Sequence, residues 1–279
     1  GGAVSVFGIR RFAAGLPVTP VDPVALHRRF VGEVAEIFKN PSFRVLFAAS
    51  VLFFVAQGVA ATWGVHMNVF VWKMTPAQIQ VTILGYFAGL LVGVPLAPLL
   101  ARRFEKRTVI IAGLLILCAA QGGLSGVRAL GLLEWSGEAI VMPLTLNGFV
   151  AGIGVTLAGI SIGSMMADAA DEHDFLFGKR REGLYFAGLG FAGKAATGIG
   201  ALLGGIGLDA IHFPRHPAMH GHAAPIAAAT LDKLAAVSGP VVAVASAVAT
   251  LLLVFYRIDR RRHAMVVEAL QARRRQGGA

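Results

Sequence analysis

The chain has 279 residues, of which 56% are hydrophobic and only 14% are charged, whereas a soluble domain carries about 25% charged residues. This apolar excess and the mean hydropathy of +0.70 exclude a single soluble core. The net charge of +10 comes from short basic clusters between apolar runs, which is typical of topology signals in membrane proteins and not of a nucleic-acid-binding surface. The only cysteine, Cys118, excludes a disulfide within the chain.

Two short segments precede the first long apolar run. Residues 1–8 are apolar and are followed by two arginines, so residues 1–21 are interpreted as the last turns of a helix whose beginning is missing, followed by a linker. Residues 22–40 combine apolar and charged positions in a pattern that predicts an amphipathic helix on the cytoplasmic surface. A plain linker helix is the alternative. Asn40 and Pro41 end this segment.

Six apolar segments are long enough to cross the hydrocarbon core of a bilayer, which requires about 20 residues of helix. They lie at about 43–72, 79–101, 108–130, 139–167, 183–210 and 236–256. The predicted fold is therefore an all-α membrane protein whose six transmembrane helices form one bundle within residues 41–257. Residues 258–279 are predicted to be a basic cytoplasmic tail that lies near anionic headgroups.

The lysines and arginines predict the orientation of these spans. Of the 25 basic residues, 20 fall on one side of the predicted membrane and four on the other, and the remaining one is Lys194. Loops rich in Lys and Arg stay in the cytoplasm. Both termini are therefore expected to be cytoplasmic, in a plasma membrane that we take to be the bacterial inner membrane.

Lys194 is the one charged side chain deep inside a predicted span, about 12 residues or 18 Å of helix from the cytoplasmic end. Such a residue usually faces a cavity or a partner, so Lys194 is predicted to contact substrate or a carboxylate elsewhere. Snorkelling to an interface is the alternative. Gln57, Trp63, Asn147 and Thr197 are further candidates for lining a substrate cavity, although neutral polar residues also join helices and a tryptophan can simply pack.

A second cluster of charges follows the fourth predicted span, in a segment expected to be a loop. Carboxylates recur every three residues and are followed by basic residues, and the pattern predicts a salt-bridge network that holds or gates the cytoplasmic face. Its candidate members are Asp168, Asp171, Asp174, Arg180, Arg181 and Glu182. A metal site here, or in the histidine-rich loop at 212–222, is a weaker alternative, as is a plain solvated loop. No catalytic motif is present, so no catalytic residue, metal or cofactor is predicted.

The spacing of Asp168, Asp171, Arg180, Glu182 and Lys194 resembles that of the glycoside–pentoside–hexuronide:cation symporters, the melibiose permease family of the major facilitator superfamily. Asp174 stands where that family carries a glutamate. The pattern covers about 30 residues, and the rest of the chain resembles the family in topology.

The resemblance implies a twelve-helix carrier of two six-helix bundles with substrate bound between them. This chain would supply the C-terminal bundle, and residues 1–8 would end the sixth helix. A sugar would be cotransported with Na⁺ or H⁺, which is held mainly by the N-terminal six-helix bundle of the same carrier. A major facilitator carrier of a non-sugar solute and a self-contained six-helix scaffold are the alternatives.

Overall fold

The computed structural model describes residues 23–214 and 226–277, and these residues form helices joined by short connections, which confirms the predicted all-α fold class. Six of the helices, α2 to α7, are long and apolar enough to cross a membrane. The eight helices of the described ranges are α1 Pro23–Ile37, α2 Pro41–His66, α3 Pro76–Arg103, α4 Lys106–Ala129, α5 Val141–Phe177, α6 Glu182–Ala210, α7 Ala228–Leu252 and α8 Arg260–Gly277.

The chain divides into two units, residues 1–38 and residues 39–279. The first unit contains α1, on which Phe30 and Val31 are exposed. Residues 1–21, which the sequence analysis assigned to a helix end and a linker, lie outside the described residues. The second unit contains the six long helices and α8.

Proline-containing caps begin the first two membrane helices. The side-chain oxygen of Asn40 accepts hydrogen bonds from the backbone N–H groups of Ser42 at 2.8 Å and Phe43 at 3.2 Å, and Pro41 occupies the first turn of α2. Thr75 and Gln78 form a reciprocal capping box at the start of α3. Because caps are polar, they lie outside the apolar runs, and both helices start two or three residues earlier than hydropathy indicated.

Helix α5 extends ten residues beyond the predicted end at residue 167. The segment expected to be a loop is therefore helical as far as Phe177, and Gly178 then ends the helix with a φ of 69°, a conformation that favours glycine. The sixth span likewise begins at Ala228 and not near 236. Hydropathy placed the start too late because Asp232 and Lys233 lie in the first turns of the helix. Charged residues at a helix end lower local hydropathy without breaking the helix.

The packing of the six spans has an internal symmetry. Helix α2 packs on α6 and α7, α5 packs on α3 and α4, and α4 packs on α7. Exchanging α2–α4 with α5–α7 reproduces this pattern, as expected for the three-helix repeats of transporter bundles. In the most apolar stretch of α3, and likewise of α6, only 17% of the residues are buried, a smaller share than in the other four spans. These two helices therefore present the most open surface.

Glycines bring the helices into close contact at two symmetry-related crossings. A Cβ on Gly58 would collide with the carbonyl of Thr197, and α2 and α6 therefore touch through their backbones. At the α3–α5 crossing, a Cβ on Gly89 would collide with the carbonyl of Phe149. Small residues permit such contacts between membrane helices, where dispersion and not the hydrophobic effect drives packing.

Candidate functional site

A polar pocket of about 160 Å³ lies between α2, α4, α5 and α7. Two of the predicted cavity residues, Trp63 and Asn147, line it. The other polar or indole side chains of its lining are Asn68, Trp72, Gln121, Ser125 and Ser238. None of the described residues that line the pocket is charged, so its chemistry suits hydroxyl groups of a neutral solute.

The end of α2 is wound as a π-helical turn, Met67–Val71, directly beside this pocket. The wider turn places Met67 and Asn68 on the pocket wall. The turn is anchored beyond its end, where the backbone N–H of Gly137 donates to the carbonyl of Trp72 at 2.7 Å. Because π turns are rare and are frequently found at functional sites, this distortion supports a role for the pocket.

Two glutamine amides meet at the wall of the pocket, which Gln121 lines. Gln121 Nε2 donates to Gln57 Oε1 at 3.3 Å. The second polar atom of each amide, Gln57 Nε2 and Gln121 Oε1, is buried and has no hydrogen-bond partner among the described residues. An unpaired buried amide is costly. Because Gln121 lines the pocket, a hydroxyl-bearing molecule or water there would supply a partner.

Trp63 contributes to packing as well as to the pocket. The residue is 6% exposed, and its indole N–H donates to the carbonyl of Gly204 on α6 at 2.8 Å. A Cβ on Gly207 would press on the same ring. Trp63 therefore packs α2 against α6, in agreement with the alternative interpretation from the sequence that this tryptophan has a packing role.

Lys194 and Thr197 lie elsewhere, on the open side of α6. Lys194 is exposed in a groove of about 600 Å³ whose apolar lining includes Phe54, Phe186 and Leu189. Thr197 lines the same groove, and its hydroxyl donates to the carbonyl of Gly193 within the helix. Among the described residues, no carboxylate pairs with Lys194. The structure thus places four of the predicted cavity residues in two separate sites, whereas Gln57 lines neither and contacts the pocket residue Gln121.

The carboxylates of α5 take part in ion pairs with α4 and α8. Lys106 Nζ donates to both oxygens of Asp168, at 2.8 and 2.7 Å. His263 Nε2 lies 3.3 Å from Asp168 and 3.6 Å from Asp171. These contacts join α4, the end of α5 and the C-terminal helix at what the sequence predicts to be the cytoplasmic face.

A second ion pair, whose carboxylate is buried, lies at the same junction. Arg262 Nε donates to Glu172 Oε1 at 2.6 Å, and the Glu172 side chain is only 1% exposed. About three turns further along α8, Arg273 donates to the carbonyl of Phe175 on α5 at 3.1 Å. Sequence reasoning missed Lys106, Glu172, Arg262 and His263 as members. The available signal was Glu172 four residues after Asp168, on the same face of a helix.

The remaining predicted members of the network lie at the end of α5 and the start of α6. Arg180 donates to Glu182 at 3.1 and 2.7 Å, and both side chains are about half exposed. The hydrogen bond from Arg180 to Glu182 raises the pKa of the guanidinium. Arg181 is half-buried at the start of α6, and Asp174 is half-buried in the last turn of α5. Arg180 therefore pairs with Glu182, whereas Asp168 pairs with Lys106.

Buried tyrosine and asparagine side chains complete the junction. The Tyr256 hydroxyl donates to the carbonyl of Met165 at 3.0 Å, and Asn40 Nδ2 donates to the carbonyl of Ala169 at 3.1 Å. Burial, followed by the charges of Asp168 and Glu172, raises the pKa of Tyr256 above its usual range. The start of α2 and the end of α7 are thereby held against α5.

A six-helix membrane bundle with an internal three-helix repeat and a polar pocket is the architecture of a secondary carrier. The family described as MFS/sugar transport protein matches residues 23–260, and the chain belongs to this family. The predicted relationship to sugar:cation symporters of the major facilitator superfamily is confirmed.

Two curated relatives share significant sequence similarity with the chain. The isoprimeverose transporter of Lactiplantibacillus pentosus is 26% identical over 204 residues, which is 72% of this chain and 39% of that protein. An uncharacterized symporter of Synechocystis sp. is 29% identical over 176 residues, which is 62% of this chain and 30% of that protein. The chain thus matches well under half the length of either relative.

Proposed function

We propose that this chain is the C-terminal six-helix bundle of a sugar:cation symporter, which works by alternating access against a second six-helix bundle. Support comes from the family match and from relatives described as an isoprimeverose transporter and a symporter. The polar pocket binds hydroxyl groups of the sugar. No described carboxylate lines the pocket or the groove, so the coupling Na⁺ or H⁺ is held mainly by the partner bundle.

The exposed position of Lys194 carries this proposal. An ammonium group inside a span costs at least about 2.5 kcal/mol when it faces lipid. Lys194 lies on an open groove with apolar neighbours and without a carboxylate partner among the described residues. A second bundle packed over the groove would remove this free-energy cost, either by supplying a carboxylate partner for the ammonium group or by enclosing a water-filled cavity around it. The two most open helices, α3 and α6, would then form the inter-bundle surface.

Thiol accessibility tests whether Lys194 lines the transport pathway. In the complete carrier with Cys118→Ser, the cysteine of Lys194→Cys is expected to react with a water-soluble thiol reagent, and transported sugar should slow the reaction. Leu115→Cys is the matched control, because Leu115 is exposed on α4 and is expected to face lipid. An inert cysteine at 194 in every transport state would contradict the assignment.

Transport assays test the function itself. Proteoliposomes with the complete carrier should take up sugar down an imposed Na⁺ or H⁺ gradient, with isoprimeverose first among the sugars tried, whereas residues 1–279 alone should not. Lys194→Arg should retain more uptake than Lys194→Met if the residue pairs with carboxylates, since arginine keeps the charge. If it instead hydrogen-bonds the sugar, both variants should lose sugar affinity alike. Gradient-driven uptake by residues 1–279 alone, or uptake of non-sugar solutes only, would overturn the proposal.

A further inference from the structure

A third cavity, of about 530 Å³, lies at the charged end of the bundle, between the start of α4 and the segment that joins α7 to α8. Its basic lining residues are Arg107 and Arg257, and Thr108 adds a hydroxyl group. The sequence predicts this end to be cytoplasmic, where the leaflet surface is negative. The cavity is separate from the polar pocket and from the Lys194 groove.

Neither of the two arginines of the cavity forms an ion pair with a described residue. Arg107 donates to the carbonyls of Val254 at 3.1 Å and Tyr256 at 3.4 Å, which are neutral acceptors. Arg257 is exposed and forms no ion pair with a described residue. Two guanidinium groups on one cavity are a suitable site for a phosphate group.

The carboxylates that line the same cavity are already engaged. Glu105 accepts a hydrogen bond from the backbone N–H of Arg260 at 3.2 Å, and the Arg260 side chain lies 3.8 Å away. Asp259 accepts from the backbone N–H of Arg262 at 2.7 Å, at the start of α8. Their charges are thus partly neutralised by Arg260 and by the helix start, and the three arginines Arg107, Arg257 and Arg260 outnumber these two carboxylates.

The cavity continues onto an apolar surface at the end of the sixth span. Val254 and Phe255 line it and are 52% and 67% exposed. Leu251, one turn earlier on α7, is also exposed. A molecule with a phosphate group and an acyl chain would contact both surfaces, whereas a free phosphate would contact only the arginines. We propose that this cavity binds an anionic phospholipid, with its phosphate on Arg107 and Arg257 and an acyl chain along Phe255 and Leu251.

Native mass spectrometry of the purified chain, titrated with palmitoyl-oleoyl phosphatidylglycerol, tests the proposal. Phosphatidylglycerol adducts should form at lower lipid concentration than adducts of phosphatidylcholine with the same acyl chains. Each arginine near the membrane surface contributes roughly fivefold in affinity, so Arg107→Gln/Arg257→Gln should weaken binding at least about tenfold. The matched control is Arg102→Gln/Arg103→Gln, which removes the same charge from exposed positions outside the cavity.

Further variants separate the lipid site from its rivals. Because Arg107 also holds the end of α7, Arg257→Gln alone should weaken binding roughly fivefold without changing the melting temperature. Phe255→Ala should also weaken phosphatidylglycerol binding.

Three results would contradict a specific lipid site. Equal losses of phosphatidylglycerol affinity in the cavity and control pairs would show a diffuse basic surface, and equal binding of phosphatidylcholine would show no preference for an anionic lipid. Displacement of phosphatidylglycerol by inorganic phosphate at concentrations similar to that of the lipid would show a site for a free anion. Each of these three results would overturn the proposal.

Discussion

The ion pair between Lys106 and Asp168 is expected to be a main stabilising contact at the charged end of the bundle. The Asp168 side chain is 8% exposed and that of Lys106 is 33% exposed. Removing one partner of a buried pair costs about 3–5 kcal/mol, because the other charge is left uncompensated. In Asp168→Asn the remaining ammonium can recruit water, so we expect a smaller loss of about 2–3 kcal/mol, roughly 30- to 150-fold in the unfolding equilibrium.

Lys106→Met should be the more damaging of the two single changes. It leaves a carboxylate that is buried and has only the partial contact with His263, so the cost should approach about 3–5 kcal/mol. The double variant Asp168→Asn/Lys106→Met removes both charges and should be more stable than the sum of the single losses implies. This non-additivity is the signature of a direct pair.

Unfolding of the purified chain by sodium dodecyl sulfate in mixed micelles, followed by circular dichroism, measures these differences. Arg180→Gln is the matched control, because Arg180 forms only an exposed pair with Glu182 and such pairs contribute little. Wild-type stability of Asp168→Asn together with clear destabilisation by Arg180→Gln would refute the pairing. Strictly additive losses in the double variant would show that the two residues act independently.

Three other outcomes are expected. Burial raises the pKa of Tyr256 above its ordinary value of 10, so the buried neutral phenol contributes stability that is complete below pH 10 and declines as the pH rises further. Melting temperatures measured at alkaline pH should therefore fall less steeply with pH in Tyr256→Phe than in the wild type. An unchanged slope would contradict this expectation. Gly58→Ala should lower the melting temperature in detergent, because its Cβ meets the backbone of α6, whereas Gly64→Ala meets no atom within 4 Å and should not. Reporter fusions at Ala279 and within residues 212–222 should report opposite sides of the membrane, and the same side for both would refute the six-span topology.

The number and type of the membrane helices followed from the sequence alone. A run of about 20 apolar residues has few alternatives to a spanning helix, because lipid offers no hydrogen-bond partners to the backbone. Local signals for helix starts were present too, since Asn40 with Pro41 and Thr75 with Pro76 are caps that act within one turn, but hydropathy alone placed both starts two or three residues too late. Lys194 could also be singled out from the sequence. The free-energy cost of a charged side chain depends on its depth in the membrane, and that depth follows from its position in the apolar run.

The pairing of side chains was decided only by the tertiary structure. Asp168 is followed in the chain by Arg180 and Arg181, yet it pairs with Lys106, 62 residues away. Trp63 and Asn147 line one pocket, whereas Lys194 and Thr197 line another. The physical reason is that hydropathy and capping act over a turn or a span, while ion pairs and pockets form where helix ends and faces from distant parts of the chain meet. A side chain's type gives its possible partners, and only the packing of α2 to α8 selects among them.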